Sequence, residues 1–357
     1  MFNKLIEYLS QVADIHLISR LKDERLEFPY EDDVRIFLPD MHFISNERAE
    51  KFKYGTNHPD LIKDVAKQLL CFKNEVGDEN NVVVYQLGDF LDPWRETPSY
   101  WTIGGKSDEW EASIQKILDD NAPAINQLRH PDLKTQFVFG NHDIDLRWLP
   151  SFSAWKLKYY FPIDPLNLEK GASIVALHGD ILEAFEKLVP DWLQYLAVYL
   201  FGGVKKPSEK DLGKLRKEII KAHNKRKYTY YIHQSEPSIS GEFESVDGDL
   251  PERHNIKKRG ESSEVELKYL QEAKDFFSKM SEDLEWDLRV AVIGHTHHAR
   301  IAIDETSDQF FALVDCGAWI ERCKGVVDGE EIEMENAQIG VLSNNDVRIY
   351  QLRPKEG

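Results

Sequence analysis

Residues 81–92 read NVVVYQLGDFLD: a β-branched and aromatic run, Val82 to Leu87, stops at Gly88 and delivers two carboxylates, Asp89 and Asp92. Four more runs end in the same way. Val34 to Leu38 leads into Asp40 and His42, Gln136 to Phe139 into Gly140-Asn141-His142-Asp143, Ser173 to Leu177 into His178-Gly179, and Arg289 to Ile293 into Gly294-His295-Thr296-His297. These runs read as buried strands, and amphipathic stretches near 61–75 and 108–128 read as helices between them, which is the rhythm of an α/β domain. A sheet of this class presents its site beyond the carboxyl ends of its strands. The five junctions are therefore expected to converge, with Gly88, Gly140, Gly179 and Gly294 allowing tight turns or close backbone approach beside them.

The residues at the junctions share one chemistry: carboxylate, carboxamide or imidazole. Four such groups can surround a divalent ion, and one carboxylate can bridge to a second ion about 3.5–4 Å away. Asp40, His42, Asp89, Asn141, His178, His295 and His297 thus suffice for two divalent metal ions. Thiolates are absent from the set, so Mn is the favoured ion, with Fe or Zn as alternatives, rather than a structural Cys-based zinc site or an all-oxygen calcium cage. His142 adjoins Asn141 and cannot easily share its ion, which leaves it to face a substrate as proton donor or charge stabiliser. A lone histidine is more often a satisfied core residue. A tetrapeptide such as GNHD arises by chance in roughly two of every thousand chains of this length, but five such junctions in series do not.

Composition bounds the rest. The chain has 357 residues, a prior of about two domains or of one large domain with insertions. Its formal charge of −18 disfavours generic polyanion binding, so no stable nucleic-acid complex is expected. Cys71, Cys316 and Cys323 form no CxxC pattern and read as reduced thiols in a cytoplasmic protein. In the N-terminal stretch, Glu7, Gln11 and Asp14 interrupt the apolar run before it reaches signal-peptide length. The spacing of Leu5, Leu9, Val12, Ile15 and Leu21 predicts an amphipathic helix, so residues 1–30 read as a helical extension. The uncharged apolar stretch from Trp192 to Val204 is too short for a transmembrane helix of about 20 residues, although it suits a buried helix or a peripheral membrane contact.

Residues 31–180 and 287–357 read as the core, and 181–286 as an inserted helical cap. Within the cap, residues 205–227 carry ten Lys/Arg against three acids, a local charge of +7 that suits either a solvated helix face or the steering of an anionic substrate. Residues 236–262 read as a loop. Ser263 with Glu266 then forms a capping-box pattern for a helix through Leu267, Leu270, Phe277 and Leu284. Arg95, Arg147, His298 and Arg300 lie beside the junction motifs and are candidate substrate-binding residues for a phosphate, or ion-pair partners of the acidic cluster. Trp94 and Trp319 read as packing residues.

Taken in order, the blocks from Asp40 to His297 resemble those of the calcineurin-like metallophosphoesterases. The resemblance implies a four-layer α/β/β/α sandwich and a two-metal site. In that site Asp40, His42, Asp89 and His297 hold one ion, and Asn141, His178 and His295, with Asp89 bridging, hold the other. It further implies that His142 faces the phosphate, that Asp92 orients His142, and that water activated by the cations attacks phosphorus in line. GDFLDPWRE with Tyr100 and Trp101, then HGD, GHTHHARIAI and DCGAWIERC, resemble the UDP-2,3-diacylglucosamine hydrolase-like branch, which also carries a helical cap. That branch implies a small phosphorylated, nucleotide-sugar or lipid-linked substrate cleaved at a phosphoester or pyrophosphate bond. The lipid A pathway enzymes have Arg at the position of His142 and a longer carboxylate at that of Asp92; this chain differs at both. A nuclease or phosphodiesterase, a protein phosphatase (whose usual Arg is here Pro93) and a non-catalytic metal-binding scaffold are the alternatives. Oligomeric state is not legible.

Overall fold

The computed structural model of the protein describes residues 1–26, 33–51, 59–76, 82–93, 96, 107–140, 142–143, 146, 155, 157, 160–163, 174–179, 238–242, 244–245, 253–254, 256–258, 270, 273–278, 287–297, 299–304, 310–319, 322–327, 330–335 and 337–355. The helices are α1 (Phe2–Leu9), α2 (Asn46–Lys51), α3 (Pro59–Val76), α4 (Ser107–Asp120) and α5 (Ala122–Leu128). The strands are β1 (Ala13–Lys22), β2 (Val34–Leu38), β3 (Val82–Gln86), β4 (Gln136–Phe137), β5 (Tyr160–Ile163), β6 (Ile174–Leu177), β7 (Ser238–Glu242), β8 (Glu244–Ser245), β9 (Arg253–His254), β10 (Ile256–Lys258), β11 (Val290–Ile293), β12 (Arg300–Asp304), β13 (Phe311–Asp315), β14 (Arg322–Val327), β15 (Glu330–Glu335), β16 (Gln338–Ser343) and β17 (Asp346–Pro354).

The first sheet runs β4-β3-β2-β16-β17-β1-β8, with β9 also on β1; the second runs β10-β12-β13-β11-β6-β5. All five residues of β2 are buried, as a strand covered on both faces requires. Alternation assigns its faces. Val34, Ile36 and Leu38 pack with Leu5 of α1, Leu69 of α3 and Ile125 of α5, whereas Phe37 joins Ile174, Val292 and Val314 of the second sheet in a core between the sheets. On the outer face of the second sheet, Phe277, within helical residues 273–278, stacks on Phe311 at 5.8 Å. Helices, sheet, sheet and helix make the α/β/β/α sandwich. A third, smaller sheet has the order β15-β14-β7.

Two expectations need correction. The N-terminal helix stops at Leu9, and residues 13–22 are not part of a helical extension but a strand paired along β17. The register shifts between Leu17 and Ser19, and this exchanges the faces. Ala13 and Leu17 pack under the helices, while Leu21 faces the core between the sheets. An extra residue of this kind breaks period-2 alternation, which is why the apolar spacing imitated a helix. Residues 236–262 are likewise not a loop throughout, and the described residues in that part of the expected helical cap are strand. β8 and β9 pair with β1, β10 runs parallel to β12, and β7 parallel to β14. Short edge strands need neither length nor continuous apolarity, so their composition resembles that of loops.

Residues 181–237, the basic segment and the 263–266 capping box lie outside the described residues. The helical stretch expected over 108–128 divides at Asn121, whose Nδ2 donates to the Ile117 and Ile44 carbonyls. Pro123 has no N–H with which to continue α4. Among the described residues, no helix is long and apolar enough to cross a membrane.

Candidate metal centre

The loops after β2 and β3 are laced together before any side chain is considered. Met41 and His42 both donate backbone N–H groups to the Asp89 carbonyl, Phe43 donates to Phe90, and Asp92 donates to Phe43. This lacing holds Asp40, His42, Asp89 and Asp92 on neighbouring turns. His42 and Asp89 (φ 45° each), His295 (φ 70°) and His297 (φ 59°) all occupy the left-handed region. Non-glycine residues there cost about 1–3 kcal/mol each and persist only where surrounding contacts over-determine them. Four such residues in one cluster mark the site. At Gly88 (φ 96°) an added Cβ would come within 2.7 Å of the His178 ring, so glycine is needed there for both conformation and space.

The side chains converge. His297 Nε2 lies 3.1 Å from Asp40 Oδ2, and His42 Nε2 lies 3.4 Å from Asp89 Oδ2. His178 Nε2 is 3.4 Å from that same Asp89 oxygen and 3.1 Å from His295 Nδ1. Asp40, His42 and His297 form one group able to hold an ion, and Asp89, His178 and His295 another. The Asp89 carboxylate stands between them. Ligand atoms about 2.1 Å from a common ion are about 3.0–3.4 Å from one another in octahedral or tetrahedral geometry. The observed separations match that spacing, and the facing atoms are lone-pair donors. The residues therefore fit divalent cations.

His178 is held in one orientation. Its Nδ1 donates to the Leu87 carbonyl at 2.9 Å, which presents Nε2 to Asp89 and His295. Asp40 Oδ1, 3.4 Å from the same Nδ1, then has no hydrogen-bond donor among the described residues. The field calls for positive charge. Burial pushes the Asp40 and Asp89 carboxyls up, yet the surrounding imidazoles more than offset it and hold both well below the usual range. Burial opposes the His178 imidazolium, but Asp89 and Asp40 carry it well above its ordinary value. In His42, burial prevails and lowers the pKa.

Asp92 is fully buried between two imidazoles, with Oδ2 3.1 Å from His42 Nδ1 and Oδ1 3.0 Å from His142 Nδ1. It therefore touches His42 as well as His142. His142 sits at the edge of the cluster, its side chain 12% exposed. Arg300 opens β12, and its Nε lies 3.9 Å from Asp315 Oδ2. Asn141, Arg95, Arg147, His298 and Trp94 lie outside the described residues. Trp319 is fully buried in the core beneath the helices.

Two buried acids had no role in the sequence reading. Asp143 accepts the Gly140 and Phe90 N–H groups, each at 2.7 Å, and so ties the third junction to the second. Burial and the neighbouring Asp89 push its carboxyl up to about 8. Asp315 ends β13 and accepts the Thr296 hydroxyl; burial pushes it up to about 7. The signal for Asp315 was the one that served elsewhere: an apolar run, Phe311 to Val314, closing on a carboxylate.

The family model described as Calcineurin-like phosphoesterase matches residues 11–299, well over half of the 357-residue chain. The search of curated proteins returned no match.

Proposed function

The chain belongs to the calcineurin-like phosphoesterase family, the metal-dependent phosphoester hydrolases, and on that premise we propose that it cleaves a phosphoester or pyrophosphate bond in a small nucleotide-sugar or lipid-linked substrate. The observation that carries this reading is the Asp89 carboxylate between two imidazole-containing groups. We assign Asp40, His42, Asp89 and His297 to one ion and Asn141, His178 and His295, with Asp89 shared, to a second. Manganese suits the mixed oxygen and imidazole set, with iron or zinc as alternatives.

Two divalent ions would supply charge for the phosphoryl oxygens and acidify water. The protein's own residues do the rest. The buried carboxylates of Asp40 and Asp89 are held ionised by their imidazole neighbours and are ready to ligate. Asp92 Oδ1 lies 3.0 Å from His142 Nδ1 and engages that side of the ring, which leaves Nε2 as the nitrogen to give a proton to the leaving oxygen. By its second oxygen Asp92 also fixes the ring of His42, so one carboxylate aligns a metal ligand and the proton donor together. The same pair would stabilise charge developing on phosphate.

The lipid-linked or nucleotide-sugar class rests on the resemblance of the GDFLDPWRE, HGD, GHTHHARIAI and DCGAWIERC blocks to the UDP-2,3-diacylglucosamine hydrolase-like branch and on the apolar and basic stretches of 192–227, which suit a peripheral membrane contact and an anionic substrate. The test is turnover, with added Mn²⁺, of UDP-linked sugars, lipid phosphates, chromogenic mono- and diesters and short oligonucleotides. Preferential hydrolysis of the UDP-linked or lipid substrates supports the assignment. Preference for oligonucleotides reassigns the substrate, and no hydrolysis together with no metal binding refutes the enzyme.

A further inference from the structure

His295 and His297 are one residue apart yet belong to different ion groups, and both have left-handed backbone. Something must hold the turn between them. His295 N donates to Asp40 Oδ2 at 2.9 Å and Thr296 N to the Gly294 carbonyl at 2.9 Å, which secures the backbone on the site side. On the other side the Thr296 hydroxyl donates to Asp315 Oδ2. Asp315 is fully buried and lies outside the residues matched by the family model.

We propose that Asp315 is a positioning residue for the metal centre: through Thr296 it fixes the His295–His297 turn so that the two imidazoles are divided between two ions. The inference rests on the reading of both histidines as ligands.

Asp315 is itself built into a rigid floor. It pairs in register with Ile293 of β11, the residue just before the turn. Its Oδ1 accepts the Gly317 N–H at 3.2 Å, and the next residue, Cys316, donates its N–H to the Ile293 carbonyl at 2.8 Å. The chain then passes beneath the first ligand: Ala318 bridges to Asp40, and Trp319 N donates to the Asp40 carbonyl at 2.8 Å. Gln338 of β16 anchors this segment from the first sheet. Its Oε1 accepts Ala318 N at 3.0 Å while its Nε2 donates to Gln351 Oε1 at 3.1 Å. Gly317 (φ 81°) passes so close to Gln338 that a Cβ would overlap the Gln338 side chain. The Thr296 hydroxyl is thus tied to a carboxylate that cannot shift without moving both sheets. Such partners behind ligands are commonly worth about 10–100-fold in metal affinity.

The experiment titrates Mn²⁺ into the full-length parent and into Thr296→Val, Thr296→Ser and Asp315→Asn, and melts each in its ion-free form. Thr296→Val keeps the shape but loses the hydroxyl, and Mn²⁺ affinity is expected to fall about 10–100-fold with little change in ion-free melting. Thr296→Ser should restore affinity close to the parent's. Asp315→Asn, which keeps one acceptor for two donors, should weaken binding with the Val variant, and combining the two should cost no more than the worse one alone. Parental affinity in Thr296→Val overturns the proposal. So does a variant that fails to fold, or one whose affinity falls only in proportion to lost melting temperature, because Thr296 would then serve the fold and not the turn. A parent protein that binds no Mn²⁺ refutes the underlying two-ion reading instead, and is told apart by that result alone.

Discussion

Replacing Asp315 by Asn should make the ion-free protein progressively more stable than the parent as pH rises from about 4 to 8. Asp315 is fully buried, and burial raises its carboxyl from 3.8 to about 7, even though Arg300, Thr296 and Gly317 all favour the ionised form. An acid whose folded-state pKa is raised binds its proton more tightly in the native than in the unfolded chain. Its contribution to stability is complete below pH 4 and is lost as pH climbs through 7. About three pKa units at 1.36 kcal/mol each give an upper bound of roughly 4 kcal/mol, reduced by any water that reaches the group. Asn carries no such proton, so the difference in unfolding free energy between variant and parent should drift toward the variant by about 2–4 kcal/mol over this range. Lost hydrogen bonds add only a constant offset. Urea unfolding of both proteins in chelator, at half-unit pH steps, measures the drift. A difference that stays flat from pH 4 to 8 would show that the carboxyl titrates normally and that burial does not govern it. Weakened Mn²⁺ binding in a variant that is more stable at pH 8 would explain why a destabilising carboxylate occupies this position.

Asp89→Ala should abolish metal binding and turnover together, whereas His142→Ala should keep its ions and lose about 10²–10⁴ in kcat, the usual range for a positioned acid or base; metal content beside kinetics separates the two, and equal metal loss in both would refute the division of roles. Asp92→Ala should do some of each, because its oxygens meet both His42 and His142, lowering Mn²⁺ affinity by about tenfold or more and kcat at saturating metal as well. An effect on kcat alone would show that its contact with His42 is passive. Reversing the charges of Lys214, Arg216 and Lys217 should raise KM and flatten its dependence on ionic strength while leaving kcat near the parent value. Kinetics unchanged across salt would assign that segment to solvation.

The site was legible because one local rule serves both fold and chemistry. An apolar run that ends abruptly on an Asp or His announces a buried strand and, at its carboxyl end, a residue with nowhere to go but the shared crevice. β2, β3, β6 and β11 follow that rule, and the structure gathers Asp40, His42, Asp89, His178, His295 and His297 accordingly. The rule fails where the physics is not local. β1 hides its alternation behind a register shift that only its pairing with β17 reveals, and β7 to β10 are short edges whose neighbours, not their own residues, make them strands. Asp92 illustrates the same limit within the site. The family resemblance pairs it with His142, but its second contact, with His42, has no signal in the spacing, because the lacing of the β2 and β3 loops, Asp92 N to the Phe43 carbonyl, places it between two histidines fifty residues away in either direction. Spacing can nominate the donors of such a centre. Which donor orients which depends on backbone hydrogen bonds between loops, and a charge buried by them must find its partner there or leave the site unstable.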